Sequence, residues 1–299
     1  MNRLCLLAVA GLCVVNAAGC QVNPATGRSQ LIMISPQQVS ALGAEAKPEL
    51  IKEYGGEVKS PQLRAYVDGI GRSLLANVEG EFASLDWSFT VLDSDVINAF
   101  ALPGGHVFIS RGLLVRFQNE AQVAGVLGHE IGHVTGRHVD ERISQSVLAQ
   151  GIVAGIGGFT ESQLAVLAAT AVAGGYQLKF GRDQESEADI LGVRYMVQAG
   201  YDPVGMLEVL SVLKEAAGGG KSPEFLSTHP HPETRINTIT RLVNGEYAYT
   251  QNNPQYQKHQ QRFQQLARPH LGAAPMSWHP LDAVYALHML GGCGETCDR

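Results

Sequence analysis

Apolar positions along the chain follow two rhythms. Leu63, Val67, Ile70 and Leu74 recur every three or four residues behind Ser60 and Pro61, an N-cap and a first-turn proline, and so predict an amphipathic helix. Pro36 opens another predicted helix, from Gln37 to about Tyr54. The period then falls to two. "DWSFTVLDS" and "HVFISRG" alternate as strands do, and the turn Pro103-Gly104-Gly105 precedes the second; they predict a small antiparallel sheet around residues 86–110. Helical spacing returns from about Asn119. It recurs in "GRDQESEADILGVRYMVQAG", where Gly200 is a stop signal, and in "DPVGMLEVLSVLKEAAGGG", which ends at Gly218–Gly220. A loop, "SPEFLSTHPHP", leads to a last core helix. Two Gly/Ala-rich apolar stretches, Val147–Gly158 and Leu164–Gly175, fall short of the roughly 20 residues that span a bilayer, and read as buried or interfacial helices. From about Asn252 the chain is polar, Gln-rich and without tandem repeats. The class these elements predict is α+β and mostly helical, with the small sheet beside a long central helix.

Composition sharpens the two ends. The 299 residues are 45% hydrophobic and 17% charged, with a net charge of -6 that offers no footprint for nucleic acid. "MNRLCLLAVAGLCVVNAAGC" has one Arg, an apolar run from Leu4 to Val15 and small residues after it, the pattern of an export signal over residues 1–19. Ala17-Ala18-Gly19-Cys20 resembles a bacterial lipoprotein cleavage box, which makes Cys20 the lipidated first residue of the mature chain. An ordinary secreted protein cut nearby, or an uncut anchor, are the alternatives. Gln21, which is not Asp, resembles outer-membrane sorting in such lipoproteins. Residues 20–35 then read as a tether leading into a short extended segment, 36–245 as the main domain and 246–299 as a C-terminal tail. Cys5 and Cys13 leave with the signal, so Cys293 and Cys297 remain as a pair for a local disulfide in an exported chain.

The candidate chemistry lies in "VAGVLGHEIGHVTGRHVDE", Val123–Glu141. On a helical wheel Val123, Leu127, Ile131 and Val134 share one face, and Gly125, Gly128, Gly132 and Gly136 share another. Each interior glycine costs roughly 1 kcal/mol against alanine, so the stripe calls for a close backbone neighbour. His129 and His133, four apart, point the same way, with Glu130 at the edge of the apolar sector. This His-Glu-x-x-His pattern can hold one zinc ion between two imidazoles, with the glutamate reaching a metal-bound water. Catalytic zinc takes three protein ligands and an open position. In "ESEAD", Glu185 would complete a His2Glu set, and Asp189, one turn on, could accept a hydrogen bond from the outer nitrogen of a ligating His. A solvated acidic patch at a helix start is the alternative, and it suits Glu187. His106 and His138 read as a strand residue and a solvent-facing residue at the helix end.

"HEIGH", "ESEAD", "NAFALPGG" and "STHPHPETR", in this order over about residues 28–243, resemble the HtpX/CAAX-protease-type zinc metallopeptidases, which are gluzincins. Among them the chain is most similar to the periplasmic lipoprotein branch typified by LoiP and BepA. The resemblance implies a zincin-like fold and one Zn2+ per chain, held by His129, His133 and Glu185, with Glu130 as the catalytic base. It implies that Asn98, Ala99, Phe100, Ala101 and Leu102 present an edge strand above the metal, to which substrate adds as a further strand. It makes His229 a loop histidine that caps the metal at rest or stabilises the oxyanion during turnover, and pairs Arg235 with an acid such as Asp189. The implied function is peptide-bond hydrolysis in unfolded or misassembled envelope proteins, by an exported, periplasm-facing protein held to the outer membrane by its lipid anchor. An assembly factor that keeps the zinc site but rarely cuts is the second reading, and a structural lipoprotein with a decayed site the third.

Overall fold

The computed structural model describes residues 20–32, 35–149, 179–218, 223–230 and 232–272. The export signal, most of the two Gly/Ala-rich stretches, and the Cys293/Cys297 pair lie outside the described residues.

The described residues open with a hairpin, β1 (Cys20–Val22) and β2 (Ser29–Leu31), then α1 (Pro36–Glu53) and α2 (Pro61–Leu74). Strands β3 (Ser88–Leu92), β4 (Ala99–Leu102) and β5 (His106–Ser110) follow, with the single-turn α3 (Arg111–Leu114). The motif helix is α4 (Glu120–Thr135), continued after a break by α5 (His138–Ala149). Then come α6 (Arg182–Gln198), α7 (Val204–Gly218), the short α8 (Glu224–Thr228), α9 (Pro232–Asn244) and α10 (Gln260–Leu266). Local chemistry sets the starts. Ser60 accepts from the Leu63 amide, while Ser35 and Asn119 each close a capping box with the glutamine three residues on.

The sheet differs from the expected antiparallel one: it is mixed, in the order β3-β5-β4. β4 and β5 form the antiparallel hairpin that Pro103–Gly105 predicts. The hairpin docks through β5, so β3 and β5 run the same way and pair in parallel, Ser88 opposite His106 and Leu92 opposite Ser110. β4 is thereby left as an edge. Phe100 pairs with Phe108 and Asn98 accepts from the Ser110 amide, so the backbone groups of Ala99 and Ala101 point away from β5.

Helix α4 is the centre of the core: every residue from Glu120 to Thr135 is buried. It packs on α6 and α7, with α2 and β4 also against it. The glycine stripe is what lets α6 so close. A Cβ on Gly128 would sit 3.1 Å from the Gly192 carbonyl oxygen, and one on Gly132 would lie 2.6 Å from that of Ala188. Residues 185 and 189 of α6 are thereby brought up to residues 129 and 133 of α4.

The core also extends beyond the expected bounds of 36–245. Asn23 donates to the Thr135 carbonyl at 2.8 Å and Gln30 to that of Gly136 at 2.7 Å, so the hairpin satisfies carbonyls at the end of α4. Tyr247, Phe263, Ala267 and Leu271 join the core at the other end. Among the described residues no helix is long and apolar enough to cross a membrane.

Candidate metal centre

Four buried side chains from three segments converge. α4 supplies His129 and His133, α6 supplies Glu185, and the residue closing α8 supplies His229; one ligating atom from each lies within 4.8 Å of all the others. His129 Nε2 is 3.1 Å from His133 Nε2 and 3.3 Å from His229 Nδ1. Glu185 Oε1 is 3.4 Å from His133 Nε2 and 3.0 Å from His229 Nδ1. Donors on a tetrahedral ion with bonds of about 2.0 Å are roughly 3.3 Å apart, so these separations are those of a ligand shell. The donor set, three imidazoles and a carboxylate, suits zinc. It has one more member than the expected His2Glu set, because the Phe225 carbonyl accepts from the His229 amide and the Ile97 carbonyl from that of Phe225, which fixes α8 against the start of β4.

The electrostatics suit a bound cation. Burial, reinforced for His129 by the Arg235 charge, pulls His129 down to about 4 and His133 well below its usual range; both rings are held neutral, as ligation requires. Burial would lift the Glu185 carboxyl, but His229 and Arg235 outweigh it and keep Glu185 ionised. Glu130 goes the other way. Burial lifts it to about 7, its Oε1 has no hydrogen-bond partner among the described residues, and that oxygen lies 3.7 Å from His229 Nε2. Arg235 donates to Asp189 through Nε at 2.9 Å and Nη2 at 2.8 Å, and its Nη1 is 3.0 Å from Glu185 Oε2. Asp189 Oδ1 in turn sits 2.8 Å from His129 Nδ1, where it orients the ring.

Two other positions differ from the reading of the sequence. His138, expected to face solvent, is completely buried, with Nδ1 2.9 Å from His133 Nδ1. The cause is a break at Gly136-Arg137, where Arg137 takes a left-handed φ of 53° and turns the chain back under the metal helix. Glu187, assigned to a solvated patch, is half-buried, accepts from His138 Nε2 at 2.8 Å and pairs with Arg28. Asn98 lies just before β4, and its side chain donates to Glu224 at 2.8 Å, bracing α8 and leaving the edge to Ala99–Leu102. His106 is the expected strand residue, buried in β5 against Ser88 Oγ.

The chain is similar to known proteins over this same region. It is 32% identical over 222 residues to a protein of Vibrio cholerae called putative beta-barrel assembly-enhancing protease, covering 71% of this chain and 45% of that one. It is 33% identical over 189 residues to the beta-barrel assembly-enhancing protease of Escherichia coli, covering 60% of this chain and 38% of the relative. With the mitochondrial metalloendopeptidase OMA1 of Arabidopsis thaliana it shares 33% identity over 181 residues, 58% of this chain and 34% of the other. The chain thus spans less than half the length of these three relatives. The sequence pattern of Peptidase family M48 matches residues 61–243, the span that holds α4, α6, His229 and Arg235, and the chain belongs to that family.

Proposed function

We propose that this chain is a zinc endopeptidase of the bacterial cell envelope that hydrolyses peptide bonds in unfolded or misassembled envelope proteins. The observation that carries the reading is the buried four-donor group with Glu130 beside it, its Oε1 without a hydrogen-bond partner among the described residues and 3.7 Å from His229 Nε2. His129, His133 and Glu185 would hold one zinc ion, which would supply Lewis acidity to the hydrolysis. Glu130 takes the proton from the attacking water and passes it to the leaving amine. His229 would be a further donor to the metal at rest; moved aside, it would leave room for the substrate carbonyl and could steady the developing oxyanion. Asp189 fixes the His129 ring, and Arg235 pairs with both Glu185 and Asp189.

An extended peptide would add to β4 through the outward backbone groups of Ala99 and Ala101. Main-chain pairing reads shape more than sequence, which suits clients that share only an unfolded state. The names of the bacterial relatives point to beta-barrel assembly as the setting. Lipidation of Cys20 would place the anchor at the first residue of β1, beside the exposed Val22 and Leu31 of the same hairpin, and so hold the catalytic domain against the membrane. Metal analysis and casein cleavage with and without chelator test the reading. Stoichiometric zinc with chelator-sensitive cleavage is the expected result. Binding of unfolded protein with no cleavage would favour the assembly-factor reading instead.

A further inference from the structure

The two imidazoles on α4 are supported unequally. His129 has a carboxylate directly on its outer nitrogen, Asp189 at 2.8 Å. The outer nitrogen of His133 meets another imidazole, His138 Nδ1 at 2.9 Å, and the carboxylate comes one ring later, Glu187 Oε2 at 2.8 Å from His138 Nε2. We propose that His138 is a positioning residue for the metal site, an imidazole that links ligand His133 to the Glu187 carboxylate, with Arg28 of the N-terminal hairpin fixing the far end. The proposal rests on the metal-site reading above.

The direction of each hydrogen bond follows from the first. His133 Nε2 faces the other three donors and must offer a lone pair. The ring proton is then on Nδ1 and is donated to His138 Nδ1. His138 in consequence carries its own proton on Nε2 and donates it to Glu187. Arg28 closes the chain, with Nε 3.3 Å from Glu187 Oε1, Nη2 3.2 Å from Glu187 Oε2 and Nη1 3.0 Å from Glu141 Oε1. Phe180 lies against the His133 ring at a centroid distance of 4.0 Å and shields it.

The backbone is shaped to this end. Arg137 adopts a left-handed conformation that a long side chain rarely takes, and strain of this kind gathers at functional sites. Gly136 is open where the ring folds back: a Cβ there would lie 2.6 Å from His138 Nε2. A helix carried straight through residues 136 and 137 would aim residue 138 elsewhere. The break, the glycine and the buried ring together deliver one nitrogen to the back of a metal ligand. Ligating histidines are tuned and oriented by such outer hydrogen bonds, and loss of one typically weakens metal binding about 10- to 100-fold.

The test measures zinc affinity of the full chain by competition with a chromophoric chelator, beside the melting of the metal-free protein and the visible spectrum of the cobalt-substituted one. His138→Leu is expected to weaken zinc about 10- to 100-fold and to shift the cobalt spectrum. His138→Asn, whose side-chain oxygen can accept where Nδ1 did, is expected to restore affinity to within about threefold of the parent. Glu187→Gln is expected to weaken zinc by roughly 3- to 10-fold. Equal zinc affinity for His138→Leu and the parent would overturn the proposal, as would an Asn variant as weak as the Leu one. If His138→Leu fails to fold, Glu187→Gln and Arg28→Met decide, and unchanged affinity in both overturns it. A parent chain that binds no zinc would remove the metal-site reading itself, an outcome distinct from a parent and variants that bind alike.

Discussion

Replacing Gly132 by alanine tests whether helix contact builds the site. A Cβ at this position would lie 2.6 Å from the Ala188 carbonyl oxygen, 3.0 Å from its Cα and 3.2 Å from its carbonyl carbon. All three are backbone atoms and cannot swing away. Ordinary contact begins near 3.4 Å, so α6 must retreat by roughly 0.8 Å. The same stretch of α6 carries Glu185 and Asp189, whereas metal–ligand distances tolerate only about 0.2 Å. The added methyl improves helix propensity by roughly 1 kcal/mol, against about 1–3 kcal/mol for overpacking, so the metal-free protein should lose at most about 2 kcal/mol. Zinc affinity should fall at least about tenfold. Gly69→Ala is the control: that position on α2 is exposed and its Cβ meets nothing within 4 Å. It should gain about 0.5–1 kcal/mol and leave zinc binding alone. Chelator competition and metal-free melting of both variants measure the two effects. A Gly132→Ala protein that melts higher and binds zinc within about threefold of the parent would refute the argument that close helix contact sets the ligand geometry.

Glu130→Gln should keep stoichiometric zinc and lose casein cleavage, and continued cleavage at the parental rate would remove Glu130 as the base. The same variant has a pH signature in the metal-free protein. Burial holds the Glu130 carboxyl at about 7, so between pH 4.5 and 7 the folded chain keeps a proton that the unfolded chain has released. Parental stability is therefore lost as pH rises through that window. The advantage of Gln should grow from nothing near pH 4.5 to on the order of 3 kcal/mol above pH 7, read from melting curves across that range. His229→Ala opens the fourth donor position. It should retain zinc while basal casein cleavage rises through loss of the cap; a fall in cleavage instead would assign His229 to the oxyanion, and unchanged cleavage would remove both roles. Cys20→Ser should move the protein from the membrane fraction to the soluble fraction of cells, and a variant still membrane-bound would argue against the lipid anchor.

What the sequence reveals depends on how locally each feature is encoded. His129, Glu130 and His133 are legible because one helical turn fixes their relation, and the capping box at Asn119 marks where that helix starts. Glu185 and Asp189 are legible for the same reason on α6, and chemistry pairs the two helices, since two imidazoles lack a third donor. The glycine stripe signals that some backbone comes close; that the neighbour is Ala188 and Gly192 is a tertiary fact. Alternation in β3 and β5 shows their faces but not their partners, so the parallel pairing needs the docked hairpin to be seen. His138 is misread because the helical rhythm is extrapolated one turn too far. The signal was present in Gly136, a helix-ending residue two places before it, yet the left-handed turn at Arg137 has no mark in a residue that seldom adopts it. The N-terminal hairpin hides in the same way. Its turn is written in Asn23-Pro24 and Gly27, with Asn23 Oδ1 accepting from the amides of Ala25 and Thr26, while its purpose lies in hydrogen bonds to carbonyls more than a hundred residues away. Phe263, Ala267 and Leu271 kept helical spacing inside a polar tail, and three apolar residues at that interval were enough to carry the core past its expected end.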